Sequence, residues 1–236
     1  MSLYKRALRK FGFDIRRYPQ RDYELTLKAL IDQRGVELVV DVGANTGQFG
    51  QSLRAVGYQG EIVSFEPMQV AFAALQENTQ AEGNWHARKL ALGGTAGELE
   101  INIAANSYSS SLLPMEQAHL DAAPESAIVG TERVKVSTLD REFASETRKS
   151  LLKIDTQGYE GEVLDGLGAF EPCVDAIAIE LSFVELYSGQ PLYAQMFERL
   201  ITMGFEPWWI QPEFIDPTTR RMLQVNGVFV RTGSSP

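Results

Sequence analysis

Short aliphatic runs alternate along the chain with segments whose apolar positions recur every three to four residues. The first run covers residues 37–42, and a helical pattern follows it up to Gly57. A continuous aliphatic run predicts a strand buried on both faces, and a helix between two such strands predicts a parallel crossover. The same alternation predicts strands over residues 61–65, 85–92, 151–155 and 174–181, and helices over residues 46–57, 68–82, 159–167 and 192–203.

Three parts of the chain depart from this alternation. A helix is predicted over residues 23–33, and residues 205–210 and 225–230 predict an edge hairpin. Residues 98–104 and 131–137 predict two strands joined by a long polar segment. Because a loop of that length is usually functional or mobile, residues 106–130 are predicted to form a lid that orders on ligand binding. The pattern as a whole predicts an α/β fold with about seven strands, mostly parallel.

Length and composition favour a single domain. A chain of 236 residues with 44% hydrophobic residues can bury one substantial core. We expect the domain over residues 36–232, with an insertion near residues 98–137 and an N-terminal basic helical arm over residues 1–35. The mean hydropathy is −0.16, and the sequence contains no aliphatic run near the roughly 20 residues of a bilayer span. A single cysteine, Cys173, cannot form an internal disulfide, which favours a cytoplasmic location.

Charge is unevenly distributed. The net charge is −9, which argues against nucleic acid as a partner because phosphate binding needs clustered Lys and Arg. Residues 1–21 nevertheless carry seven Lys and Arg against one acid, a net charge of +6, which leaves −15 on the rest of the chain. Such an arm could make peripheral contact with the inner, anionic face of a membrane. The alternative is a solvated helix and linker at the edge of the domain.

A glycine-rich turn follows the first predicted strand directly. The strand ends on Asp41 and Val42, and residues 43–47 read Gly-Ala-Asn-Thr-Gly. In doubly wound sheets, ligands bind at the carboxyl ends of strands near the first such turn. A dinucleotide fingerprint would place glycine where this chain has Asn45 and Gln48. An acid beside the turn suits the ammonium and sulfonium groups of S-adenosylmethionine better than it suits a phosphate.

Further acids follow the other predicted strands. Glu66, which precedes Pro67, ends the second strand, where a carboxylate can accept hydrogen bonds from both hydroxyls of an adenosine ribose. Asp155 and Glu180 end two later strands, where they could deprotonate a hydroxyl, hold a divalent ion or bind a polar substrate. His119, in the long middle segment, is a further candidate for a general base.

These motifs, taken in order, resemble the FkbM family of S-adenosylmethionine-dependent methyltransferases. The resemblance covers residues 36–232 and rests on the turn at residues 40–47, Phe-Glu-Pro at 65–67, Ala-Leu-Gly at 91–93, the serines at 109–111, Thr-Leu-Asp at 138–140 and the stretch at 153–160. That last stretch has Gln157 where the family usually has Glu. The resemblance implies a Rossmann-like methyltransferase fold and methylation of hydroxyl oxygens in sugars, polyketides and similar secondary metabolites.

The sequence therefore predicts an O-methyltransferase that uses S-adenosylmethionine on a small-molecule or glycan acceptor. A divalent metal such as Mg²⁺ is a further candidate cofactor. Two alternatives are an NAD-dependent Rossmann oxidoreductase and a non-catalytic Rossmann-type binding module. The metal ligands, the acceptor and the oligomeric state are left open. We assign the cofactor to Asp41, Gly43, Ala44, Asn45, Gly47, Glu66, Pro67, Ala91 and Leu92, and we take Asp155, Glu180 and His119 as the catalytic candidates.

Overall fold

A computed structural model of the chain describes residues 22–233. Within these residues, ten strands and seven α-helices follow one another, together with short 3-10 helices at Ser107–Ser109, Pro124–Ser126 and Gly168–Cys173. The strands are β1 Leu38–Val42, β2 Glu61–Phe65, β3 Trp85–Arg88, β4 Ala91–Leu92, β5 Gly97–Ala104, β6 Ile128–Ser137, β7 Ser150–Ile154, β8 Val174–Ser182, β9 Phe205–Pro212 and β10 Gln224–Arg231. The helices are α1 Asp22–Arg34, α2 Gln48–Ala55, α3 Gln69–Thr79, α4 Gln117–Ala122, α5 Leu139–Glu142, α6 Glu160–Asp165 and α7 Tyr193–Thr202.

Seven strands form the main sheet in the order β3-β2-β1-β7-β8-β10-β9. Neighbouring strands from β3 to β8 are parallel, and β10 inserts between β8 and β9 and runs antiparallel to both. The order reverses between β1 and β7, and ligands bind at such a switch point in open α/β sheets. The predicted Rossmann-like α/β fold with an antiparallel edge hairpin is confirmed.

Helices cover both faces of this sheet, as the alternation of side chains along its strands requires. On β1, Leu38, Val40 and Val42 pack into one hydrophobic cluster, together with side chains from α5, α6 and α7. Val39 packs into a second cluster on the opposite face, together with side chains from α1, α2 and α3. Because β1 is buried on both faces, its sequence is continuously apolar apart from Asp41.

The predicted strand over residues 85–92 is in fact two strands in two sheets. β3 pairs with β2 in the main sheet, whereas β4 pairs with β6 in a second sheet of order β4-β6-β5. The chain leaves the main sheet at Lys89 and Leu90, and an aliphatic pattern does not reveal such a transfer. The predicted loop insertion is also more regular than expected, since β5 and β6 form an antiparallel pair and α4 lies between them.

α1, which belongs to the predicted arm over residues 1–35, packs into the core. Leu27, Leu30 and Ile31 are buried in the same cluster as Val39. The remainder of the predicted arm, residues 1–21, lies outside the described residues. Among residues 22–233, no helix has the length and hydropathy of a membrane span.

Candidate active site

The turn after β1 lies against the turn after β7. Gly43 has a φ of 75°, in the left-handed region, and a Cβ at this position would clash with the backbone oxygen of Asp155. Only glycine satisfies both constraints. The amide groups of Gly43 and Ala44 both donate to the Phe65 carbonyl oxygen, at 3.1 Å and 3.0 Å. The turn is thereby fixed to the ends of both neighbouring strands.

Glu66 joins the ends of β1 and β2. One carboxylate oxygen accepts the amide N–H of Asn45 at 2.9 Å, and the other accepts that of Met68 at 2.8 Å. Burial raises the pKa of Glu66 to about 7, although these two backbone hydrogen bonds act to lower it. Each carboxylate oxygen retains a lone pair for a further donor, so Glu66 can hold the turn and bind a ligand hydroxyl at once.

A main cavity opens at the carboxyl ends of β1, β2, β7 and β8, and Asp41 is not among the residues that line it. Asp41 is therefore not placed for direct contact with a cofactor bound there. Its fully buried carboxylate accepts a hydrogen bond from Ser64 Oγ at 3.0 Å and lies 3.1 Å from Lys153 Nζ. Lys153 also donates to the Gly43 carbonyl oxygen at 2.9 Å. Burial acts to lower the pKa of Lys153, but the carboxylates of Asp41 and Asp155 outweigh it and raise that pKa. Asp41 therefore supports the turn from beneath.

Two other residues assigned to the cofactor also lie away from the main cavity. Gly47 has a φ of 94° and packs against Leu75 and Trp85, where a side chain would meet both. Ala44 lines a smaller neighbouring cavity of about 180 Å³, which Lys153 lines as well. Gly47 is needed at the start of α2, and its spacing from Gly43 reflects the packing of that helix.

The main cavity has a volume of about 380 Å³, within the range of small-molecule sites. It opens at the carboxyl ends of β1, β2, β7 and β8. The middle segment and the start of β10 complete its walls. Among the residues predicted from the sequence, it brings together Gly43, Asn45, Glu66, Pro67, Ala91, Leu92, His119, Asp155 and Glu180. Their individual roles stay predictions.

Gln157 connects Asp155 and Glu180, the two acids at the ends of β7 and β8. Its side-chain nitrogen donates to Asp155 Oδ1 at 2.8 Å and to Glu180 Oε2 at 3.1 Å. Its side-chain oxygen accepts the hydroxyl of the buried Tyr187 at 2.8 Å. This amide orientation satisfies every partner, because two carboxylates need donors and a hydroxyl needs an acceptor. Gln157 thus fixes the separation of Asp155 and Glu180.

Glu180 is the more buried of these two acids. Gln224 at the start of β10 donates to its Oε2 at 2.6 Å. Burial raises the pKa of Glu180 well above its ordinary value, and the nearby Asp155 and Glu160 carboxylates raise it further. Asp155 is half-exposed by comparison. The two acids therefore face the same space from different environments, the arrangement that separates proton donor from proton acceptor.

His119 on α4 also lines the cavity. It is 3% exposed, packs edge-on against Tyr187 with 5.2 Å between ring centroids, and lies beside Phe214. Its Nδ1 is buried without a hydrogen-bond partner. Burial lowers the pKa of His119, so the ring is neutral near pH 7. A neutral ring with an unpaired nitrogen at a cavity wall can accept or donate one hydrogen bond to a ligand.

The expected divalent metal is not supported. Across residues 22–233, no group of three or more His, Cys, Asp or Glu side chains is arranged to hold a metal ion. The Gln157 amide bridges Asp155 and Glu180 and satisfies both carboxylates by hydrogen bonds, at the position that a cation coordinated by both acids would occupy.

A known protein family matches most of the chain in sequence. The sequence model of the FkbM methyltransferase domain matches residues 41–207, well over half of the chain. The chain belongs to the FkbM methyltransferase family. Residues 41–207 are accordingly a domain of the S-adenosylmethionine-dependent methyltransferase class, which favours S-adenosylmethionine over the NAD alternative.

Individual relatives of this FkbM domain are distant. Methyltransferase sdnD of Sordaria araneosa is 29% identical over 154 residues, and the match spans 55% of this chain and 60% of that relative. Magnesium protoporphyrin IX methyltransferase from Synechocystis PCC 6803, solved with bound S-adenosylmethionine, is 11% identical with a TM-score of 0.48, covering 98% of this chain and 92% of that chain. TehB from Haemophilus influenzae is 10% identical with a TM-score of 0.49, covering 91% and 64%.

Several residues of the site are not among those predicted from the sequence. Lys153 is one, although a lysine inside an aliphatic strand signals a buried partner. Gln157 stands out in the sequence only as the residue where the family usually has Glu. Tyr187 and Gln224 lie outside every recognised motif. Their partners become visible only when the strand ends are brought together.

Proposed function

We propose that this FkbM domain transfers a methyl group from S-adenosylmethionine to a hydroxyl oxygen of a small-molecule or glycan acceptor. The observation that carries the proposal is one continuous cavity with two chemically different sides. One side, at the ends of β1 and β2, presents the glycine turn and Glu66, and the other, at the ends of β7 and β8 and on α4, presents Asp155, Glu180 and His119. Cofactor and acceptor would meet between these sides, at the switch point of the sheet.

The cofactor side fits S-adenosylmethionine. Glu66 has lone pairs free for the two ribose hydroxyls, and Gly43 allows the ligand to approach the backbone without a Cβ in the way. Ala91 and Leu92 supply an apolar surface against which adenine would pack. When bound, the cofactor supplies a methyl group that its sulfonium already activates. The protein then has to orient the acceptor and accept one proton.

Asp155 is our candidate for the proton acceptor. It lies at the cavity wall and is half-exposed. Gln157 donates to its Oδ1, and its Oδ2 lies 3.7 Å from Lys153 Nζ, which is too far for a hydrogen bond and leaves that oxygen able to accept a proton. Glu180, whose pKa is raised by burial, would donate a hydrogen bond to a second acceptor oxygen. His119 is the alternative base. Orientation supplies most of the acceleration, and a base adds about a hundredfold or more.

The character of the cavity supports a neutral, hydroxylated acceptor. The middle segment contributes Asn106, Ser107, Tyr108 and Ser109 to the wall, all capable of hydrogen bonds with hydroxyl groups. Among the described residues that line the cavity, none is Lys or Arg. An acceptor with several carboxylates or phosphates would meet acidic side chains and no Lys or Arg among these lining residues, which disfavours it.

Calorimetry separates this proposal from its alternatives. We expect S-adenosylhomocysteine to bind to the purified chain and NAD to give no heat. Transfer of labelled methyl groups from S-adenosylmethionine to a panel of sugars and hydroxylated metabolites then identifies the acceptor. NAD binding without S-adenosylhomocysteine binding would refute the proposal, and cofactor binding with no transfer to any hydroxyl compound would favour a non-catalytic binding module.

A further inference from the structure

An exposed apolar patch lies between α1 and β9, on the opposite side of the core from α7. Leu25 on α1 is 55% exposed, and Trp208 and Trp209 on β9 are 47% and 37% exposed. These three side chains border a common groove with the helix residues Thr26 and Ala29. Single exposed apolar residues are normal, but two adjacent tryptophans with a leucine form a contiguous surface that signals a binding face.

A β-bulge places both tryptophans on this face. Trp209 pairs with Val228 of β10, whereas Pro207 pairs with Phe229, so Trp208 is the extra residue of the bulge. Consecutive residues of a regular strand would point to opposite faces of the sheet. The bulge instead brings the two indole rings to the same groove. The backbone irregularity thus creates a surface that a regular strand would not present.

Pairing with a second copy of the chain does not account for this patch well. β9 is the edge of the main sheet, and an edge strand can in principle add a strand from another molecule. Pro207 and Pro212 remove two amide donors from β9. Natural edge strands use proline in this way to discourage such pairing.

The sequence adjoining the patch is strongly basic. α1 begins at Asp22, which also borders the groove, and residues 1–21 before it carry a net charge of +6. The rest of the chain carries −15 and would by itself be repelled by an anionic surface. A basic segment thus joins the acidic domain at its aromatic patch. Tryptophan at the water–lipid boundary and Lys or Arg near anionic headgroups are the two features of proteins that bind membranes peripherally.

We propose that the patch formed by Leu25, Trp208 and Trp209 binds the surface of an anionic lipid bilayer, together with the basic residues 1–21. Neither element suffices alone, because an apolar contact of this size is weak and the domain itself is acidic. Two weak signals combine to give stable but reversible attachment. Each Lys or Arg near the surface strengthens binding about fivefold at moderate salt.

The experiment measures binding of the full chain to vesicles by sedimentation. We expect binding to vesicles of phosphatidylcholine mixed with phosphatidylglycerol to be at least about tenfold tighter than to phosphatidylcholine alone, and to weaken at high salt. Brominated lipids should quench the fluorescence of Trp208 and Trp209, since bromine quenches only at contact, and should spare the buried Trp85.

Two variants of the full chain test the two elements. Changing Trp208 and Trp209 together to Ser, and separately changing Arg16, Arg17 and Arg21 to Gln, should each weaken binding about tenfold or more. The control changes Val70 and Val129 to Ser, because both are exposed apolar residues away from the patch. Unchanged binding of S-adenosylhomocysteine confirms that each variant is folded.

Several results would overturn the proposal. One is equal binding to charged and uncharged vesicles, or no binding to either. A second is full binding by the double tryptophan variant without quenching in the parent chain, which would assign attachment to residues 1–21 alone. A third is a parent dimer that the tryptophan substitutions dissociate, which would make the patch an interface between copies. None of these results depends on methyl transfer.

Discussion

Lys153 Nζ lies 3.1 Å from Asp41 Oδ1 across the neighbouring strands β1 and β7, inside the sheet that carries the site. Lys153→Met should lower the free energy of unfolding by about 3–5 kcal/mol, because it leaves a buried carboxylate without its cation. Urea denaturation measures the loss. Asp32→Asn is the matched control, since its ion pair with Lys28 is exposed on α1 and should matter by less than about 1 kcal/mol. Equal stability of the two variants would contradict a structural role for the buried pair.

Glu66→Ala should weaken binding of S-adenosylhomocysteine by about 1.5–3 kcal/mol, the range for hydrogen bonds to a charged group. The substitution also frees the amides of Asn45 and Met68, so a second variant is needed. Glu66→Gln keeps an acceptor for one of these amides and should lose less affinity. Calorimetry measures the affinity of both variants for S-adenosylhomocysteine. Parental affinity in both would rule out contact between Glu66 and the ribose.

Asp155→Asn should reduce the rate of methyl transfer about a hundredfold or more, while cofactor affinity changes by less than about tenfold. The amide keeps the shape of the carboxylate but cannot take up the proton of the acceptor hydroxyl. Asp165→Asn on the surface of α6 serves as the control. If Asp155→Asn turns over at the parental rate, His119 is the next candidate, and His119→Ala the variant to assay.

Gln157→Leu should lower the maximal rate about tenfold and move the basic limb of its pH profile to higher pH. The side-chain amide donates to both Asp155 and Glu180, and losing this hydrogen bond makes the ionised form of Glu180 less stable, so Glu180 keeps the proton that it donates to the acceptor up to a higher pH. A purely structural role would lower the rate equally at every pH. The measurement is the rate against pH for the variant and the parent, with cofactor affinity as the internal check.

The unliganded protein should be less stable at pH 8 than at pH 5. Burial raises the pKa of Glu66 and of Glu160 to about 7 in the folded state, whereas an unfolded Glu ionises near about 4.3. Their contribution to stability is therefore complete below about pH 4.3 and is lost as the pH rises through about 7. Urea midpoints measured between pH 5 and pH 8 test whether stability falls as the pH rises. Glu160→Gln should make stability depend less on pH, and an unchanged pH dependence in that variant would contradict the role given to Glu160.

The positions of strands along the chain could be predicted from the sequence where each strand is buried on both faces. β1, β2, β7 and β8 are continuous aliphatic runs, and each was predicted within two residues of its bounds. The division between β3 and β4 could not be predicted, because Lys89 and Leu90 differ little in pattern from their neighbours and only the hydrogen-bond partners change. The bulge at Trp208 is invisible for the same reason.

A residue could be predicted to line the cavity where it directly follows a single strand. It could not be predicted where the position depends on how two strands pair. Glu66 and Asp155 follow aliphatic runs directly, so position alone identifies them. Asp41 also follows this rule, yet it faces Lys153 across the sheet, and only the register of β1 with β7 reveals the ion pair. Tyr187 lies in a loop far along the chain, and its hydroxyl reaches Gln157 only through the folded topology.

The insertion of β10 between β8 and β9 fixes when the cavity is completed during synthesis. Chains emerge from the ribosome with the N-terminal part first, so β1, β2, β7 and β8 can assemble with the glycine turn and Glu66 already in place. Within the described residues, β9 has β10 as its one neighbour, so it cannot join the sheet until β10 has inserted. Gln224, the partner of Glu180, arrives on that same strand. A nascent chain would therefore acquire the cofactor side of its cavity before the acceptor side, and premature termination before residue 224 would leave a protein without a finished acceptor wall.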